Sequence, residues 1–153
     1  MANTAKTIEV LNDLILINND RIEGYEKAIK EIEEDDDNRD LLPVFLRCID
    51  ESRQFKMELG GEIEVMGKDI ASGTTTGGKL HRAWIDIKEA FVDHDRYNLL
   101  EECESGEDAI KKSYRNAIED QDLPSYIHEM LIDQQEILMQ AHDEIKDLRD
   151  SVH

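Results

Sequence analysis

Asn18, Ser52, Glu107 and Gln134 stand where a helical repeat of apolar residues calls for a hydrophobic side chain. A polar group taken into a core without a partner costs about 1–3 kcal/mol. Polar residues aligned in a core therefore bond one another or bind something. The binding option for a helical bundle is a pair of metal ions. Such a site takes one Glu from each of two helices and a Glu-x-x-His from each of the other two. Here Glu107 is present, but Asn18 stands where another helix would give its Glu. Glu51 is followed by Gln54 where a His is needed, and the last helix offers Gln134 and Gln135 with no Glu-x-x-His. Amides can ligate a metal but bring no charge to balance two dications. The pattern predicts no di-metal cluster, no cofactor and no catalytic residue. It predicts instead a polar core layer that fixes helix register, as buried polar residues do in coiled coils. The fallback metal candidates are Glu26, Glu51 and Glu107, helped by His142, with iron or manganese as the ion. By distance from the turn, Glu26 lies nearer the level of Glu51 than Asn18 does.

Glu107 is the sharpest case, a carboxylate between Cys103 and Ile110 on one stripe. Desolvation disfavours its charged form. With no cation beside it, Glu107→Gln is expected to be at least as stable as the parent at neutral pH. No two of the five histidines, His81, His94, His128, His142 and His153, share the i, i+4 spacing of a helical metal site. Each reads as a surface or partner-contacting residue. The acidic run from Glu33 to Asp37 opposes a helix dipole at its C-terminus and should stop or fray that helix; it lacks the ordered oxygen spacing of a calcium loop. The stretch from Gly73 to Leu80 nearly spells a phosphate-binding loop, with Gly73, Gly78 and Lys79 in place. Leu80 stands where the magnesium-binding Ser or Thr belongs, and a helix rather than a strand precedes it. A flexible connection is the better reading. No Gly-x-Ser-x-Gly elbow is present, and nothing marks a Ser, His and Asp set as a triad.

The elements that would position these residues are helices. Apolar residues recur at alternating threes and fours over 4–34, 41–70, 96–120 and 124–149, with a shorter stripe over 79–92 that includes Leu80, Trp84, Ile87 and Phe91. Pro43 and Pro124 each mark a helix start, since the first turn tolerates the missing amide. The Ser72–Gly78 segment breaks the second helix. No segment reads as a strand. Two short turns and one long connection between the second and third long helices give a single crossover. The expected fold is all-α, a single domain over 1–153, an antiparallel four-helix bundle of ferritin-like connectivity with a short helix in the crossover. A weak internal repeat, GYEKAI at 24–29 and SYRNAI at 113–118, fits two related hairpins.

The chain has 153 residues, 39% of them hydrophobic and 36% charged, and a net charge of −19. Such a field repels phosphate backbones and anionic membranes, so neither nucleic acid nor a membrane is expected as a partner. The start, MANTAKTIEV, has no apolar segment of signal-peptide type. Cys48 and Cys103 sit within apolar stripes with no zinc spacing, and read as reduced core residues. A cytoplasmic location is the expectation.

Taken together, LNDLI at 11–15 with GYEKAI, HRAWIDIK at 81–88, LEECESGEDA at 100–109 and AHDEIKDLRD at 141–150 resemble the small bacterial four-helix-bundle proteins grouped as a ferritin-like domain of unknown function. The resemblance covers nearly the whole chain. It implies a ferritin-like bundle with no established activity or substrate. The functional expectation is a non-catalytic bundle that acts through its surface, as a homodimer. A metal-dependent oxidase or iron-handling protein with an atypical site is one rival; a stress-related scaffold that recognises a cationic partner is another.

Overall fold

The computed structural model describes residues 4–152, with the side chain of Lys79 outside the description. His153, read above as a surface or partner-contacting residue, also lies outside the described residues. Among these residues no strand occurs. Four long helices carry the core: α1 (Thr4–Ile32), α2 (Leu42–Val65), α5 (Arg96–Ile118) and α6 (Ser125–Asp150). Two short ones, α3 (Gly78–Ile85) and α4 (Ile87–Ala90), lie in the connection between α2 and α5.

Side-chain bonds fix the packing. Asn18 meets Ser52 while Arg21 meets Cys48, so α1 and α2 run antiparallel. Tyr114 meets Gln134 and Arg149 meets Glu104, so α5 and α6 do too. Asn18 with Tyr114 and Arg21 with Glu107 set α1 antiparallel to α5. Gln134 with Glu58 and Arg47 with Glu144 do the same for α2 and α6. Each long helix thus has two antiparallel neighbours, and the connection from α2 to α5 must travel the length of the molecule. No helix is long and apolar enough to cross a membrane among the described residues.

The helix ends follow local chemistry. The first helix stops at Ile32, just before the acidic run, where Asp35 accepts from the Asp37 amide at 3.1 Å, from Asn38 Nδ2 at 2.8 Å and bonds His94 Nδ1 at 2.8 Å. The second ends five residues earlier than its stripe suggests, at Val65 rather than Ile70. The cause is Gly67, at φ 77°, which lets Lys68 N bond Ile63 O and Gly67 N bond Glu64 O, a Schellman closure. Ile70 then folds back over Gly60. The stripe over 79–92 is broken at Asp86 into α3 and α4 and ends in a single turn at Val92–His94, where Asp93 and His94 adopt positive φ. Asp95 caps α5, accepting from Asn98 N at 3.0 Å.

The connection after α2 forms a strap tied to α1. It climbs along α1, held by Ala71 N to Asn12 Oδ1 at 2.8 Å, Asn19 Nδ2 to Gly73 O at 2.6 Å, and Thr75 Oγ1 to Asp20. Asp20, buried at the surface of α1, also faces His81 Nδ1 at 3.4 Å. A stretch of Gly and Thr has little apolar surface to bury, so side-chain amides of α1 hold its backbone and the Asp20 carboxylate holds the Thr75 hydroxyl.

At the top of this climb, Trp84 of α3 enters a notch between α1 and α5. Its ring lies against Gly24 and Gly106: a Cβ at Gly24 would stand 2.4 Å from Trp84 Cε3, and one at Gly106 would stand 2.6 Å from Trp84 Cζ2. Tyr25 packs against the same ring at 5.1 Å. Three of the sequence stretches quoted above, GYEKAI, HRAW and CESGED, therefore meet at one point. Removing a buried Trp costs about 3–5 kcal/mol, and forcing a methyl into this contact costs about 1–3 kcal/mol. In the parent, Gly106→Ala should lower the urea midpoint. In a Trp84→Ala background the same change should raise it, because the clash is gone and Ala is the better helix former by about 1 kcal/mol. A sign that does not invert would show that Trp84 is not seated between the two glycines.

Candidate functional site

The apolar core is divided in two. One cluster runs from Ile22 and Tyr25 through Phe45, Trp84 and Leu100 to Ile145; the other runs from Leu11 and Ile15 through Phe55 and Ile110 to Leu131 and Leu138. Between them lies a polar layer to which every long helix contributes. Asn18, Ser52, Glu107 and Gln134 are all buried in it. At its centre is a residue that the stripes do not single out, Arg21, whose side chain is 0% exposed.

The Arg21 guanidinium directs its donors to two other helices, α2 and α5. Nε bonds Glu107 Oε1 at 2.8 Å, Nη1 bonds Ser52 Oγ and the Cys48 carbonyl, each at 3.1 Å, and Nη2 bonds Glu51 Oε1 at 3.1 Å. Tyr25 OH donates to the same Glu107 Oε1 at 2.6 Å. Glu107 is thus compensated through one oxygen; Oε2 has no partner and is, with Trp84 Nε1, one of two such buried side-chain atoms among the described residues. Burial works against the Arg21 charge, but the Glu107 carboxylate, aided by Glu51, outweighs it and raises the guanidinium above its ordinary range. Burial also raises the Glu51 carboxyl, with Arg21 pulling the other way.

A second branch leaves Arg21 through Ser52. Ser52 Oγ donates to Asn18 Oδ1 at 2.8 Å, Asn18 Nδ2 donates to Tyr114 OH at 3.0 Å, Tyr114 OH donates to Gln134 Oε1 at 2.6 Å, and Gln134 Nε2 donates to Glu58 Oε1 at 2.9 Å. Every hydrogen points the same way, from a buried cation to a carboxylate at the surface. Bonds aligned in this manner polarise and strengthen one another in a low dielectric. Asn18 and Ser52 are level with each other, and Arg21, one turn further along α1, meets Glu51; Glu26 is exposed and takes no part.

The four fallback metal candidates do not converge. Glu51 and Glu107 both face Arg21, Glu26 faces solvent, and His142 lies on α6 with its Nε2 at 2.8 Å from Asp108 Oδ1. A guanidinium already pairs with both carboxylates, and a dication added there would have to displace that positive charge. The layer can hold a register and a buried charge.

Arg21 also corrects the expectation for Glu107→Gln. That substitution leaves a buried guanidinium with only the half-buried Glu51 as counter-charge. Breaking a buried pair costs roughly 3–5 kcal/mol because the remaining charge is uncompensated, whereas replacing both partners by apolar residues is far milder. Urea unfolding at pH 7 should show Glu107→Gln destabilised by about 3 kcal/mol, with Arg21→Met added to it recovering part of the loss. A Glu107→Gln protein as stable as the parent would refute the pairing. The two cysteines yield a separate expectation. Both are free and buried in the core beside this layer. Burial pushes the Cys48 thiol up to about 12 and Cys103 well above its ordinary value. Since the thiolate is the reactive form, a thiol reagent at pH 8 should label neither residue in the native protein and both in denaturant. Fast native labelling would show that the core opens locally.

A search of curated proteins and of solved structures finds no significant match. A family model does match, over residues 6–120, which takes in α1 through α5 with the strap, the Trp84 notch and the Arg21–Glu107 pair, and stops before α6. On that match the chain belongs to the family described as Domain of unknown function (DUF2383).

Proposed function

We propose that this chain is a ferritin-like four-helix bundle, located in the cytoplasm, that carries no catalytic centre in its core and acts through its surface as a homodimer. One observation carries the reading: the middle of the bundle, where helical metal sites of this class are built, is taken up by the Arg21 guanidinium and the two carboxylates it pairs with. The antiparallel neighbours and the single long connection from α2 to α5 support the ferritin-like arrangement. Two free, buried cysteines suit a reducing compartment.

Self-association must overcome the repulsion of two copies that each carry −19. Its contact therefore needs a place where that charge is locally reversed. The seam between α5 and α6 provides one, a groove of about 540 Å³ lined by three cations, Lys111, Lys112 and Arg115, against one acid, Asp108, with Gln135 and Met139. Met139 at the groove and Ile132, seven residues before it on α6, are both nearly half exposed and add apolar surface to this side of the helix. An acidic helix face of a second copy fits this chemistry. Sedimentation equilibrium at micromolar concentration and near-physiological salt should give twice the 17.7 kDa chain mass. Met139→Lys with Ile132→Lys should give a monomer with an unchanged helical circular dichroism spectrum. A parent that sediments as a monomer would overturn the dimer.

A further inference from the structure

The core layer leaves unused a second group of ligating side chains, on the outside of the α5–α6 seam. Glu104 and Asp108 lie one helical turn apart on α5, and His142 faces them from α6. His142 Nε2 is 2.8 Å from Asp108 Oδ1 and 3.7 Å from Glu104 Oε1, and one ligand atom from each of the three lies within 4.8 Å of the others. Metal–ligand bonds of about 2.0–2.2 Å place two ligands of one ion up to about 4 Å apart. The set is thus close to the spread that a single ion requires, and Asp108, the exposed member, is free to close the difference.

The surroundings orient this group for ligation. His142 is nine-tenths buried, and its Nδ1 is 3.1 Å from Asp143 Oδ1. A carboxylate on the inner ring nitrogen orients the ring and leaves the other, outward nitrogen for a ligand, the partner arrangement found behind metal-bound imidazoles. The outward nitrogen is Nε2, the atom that faces both acids. Glu104 is divided in the same way: Oε2 takes Arg149, and Oε1 is left toward His142. Lys111 approaches Asp108 only loosely, at 3.8 Å. One imidazole and two carboxylates suit a borderline divalent transition ion rather than calcium or magnesium, which take oxygen ligands alone.

We propose that Glu104, Asp108 and His142 form a surface site for a single divalent transition ion, of which zinc is the simplest probe. The site is separate from the Arg21 layer; all three ligands come from one chain, and Asp108 also borders the Lys111–Arg115 groove, so the site adjoins the proposed dimer contact.

Zinc binding to the full chain, measured by competition with a chromophoric chelator at about 0.15 M salt to screen the general acidity, tests this. One zinc per chain is expected. His142→Gln and Asp108→Asn should each weaken binding by tenfold or more, and Asp143→Asn, which only orients the imidazole, by about tenfold. Glu129→Gln, an exposed charge elsewhere on α6, should leave the affinity unchanged. Should His142→Gln unfold the helix pair, the exposed Asp108→Asn still decides the question. Absence of saturable zinc binding, or binding that Asp108→Asn and Glu129→Gln weaken equally, would overturn the site and leave His142 as an ion-paired histidine.

Discussion

A fully buried guanidinium is the constraint on which the rest of this structure depends. An isolated charge in a low dielectric is prohibitively costly, so Arg21 can exist at the centre of the molecule only if its donors are met. They are met by α2 and α5 together, through Ser52, the Cys48 carbonyl, Glu51 and Glu107. Sliding either helix by one turn would strand the charge. The pair therefore sets the register of three helices at once, and the donor chain from Ser52 through Asn18 and Tyr114 to Gln134 extends that register to α6. Leu and Ile on either side would tolerate several alignments; the polar layer tolerates one.

The crossover solves a related problem on the outside. Joining α2 to α5 across the length of the molecule requires a segment that packs poorly by itself. Asn12 and Asn19 hold its backbone along α1, Asp20 holds the Thr75 hydroxyl, and Trp84 supplies the apolar anchor. The glycines that admit Trp84 sit on α1 and α5, adjacent in space to Tyr25 and Glu107. The notch and the charge layer are consequently neighbours, and the seating of α3 bears directly on the helices that hold Arg21.

Much of this was legible in the sequence, for identifiable reasons. Helical periodicity located the long helices because their inner faces are regular, from Leu11 to Ile32 and from Leu100 to Ala117. Asn18, Ser52, Glu107 and Gln134 stood out because each interrupts an apolar repeat. Arg21 did not, because it lies one residue from the stripe position Ile22 and reads as part of a solvated flank. The signal for it was present in two facts taken together: Glu107 sits in an apolar repeat and needs a cation, and Arg21 is the sole basic residue on the first helix between Lys6 and Lys27. The tethered strap was missed because Gly and Thr report only their own flexibility, while the residues that hold it belong to another helix. The cluster of Glu104, Asp108 and His142 was missed because it depends on the register of α5 against α6, which no single helix reveals.

The central claim, that a charged guanidinium is sealed in the core and sets the helix register, has a direct spectroscopic test. Arginine Nε–H protons on a surface exchange with water too fast to persist at neutral pH, whereas one bonded to a buried carboxylate is protected until the protein opens. In a nitrogen-15 spectrum at pH 7, one arginine Nε–H should persist as a sharp signal, exchange only on the timescale of global unfolding, and vanish in Arg21→Met. If every arginine Nε–H exchanges at the rate of a free guanidinium, Arg21 is not buried against Glu107, and the account of the fold given by the polar layer is wrong.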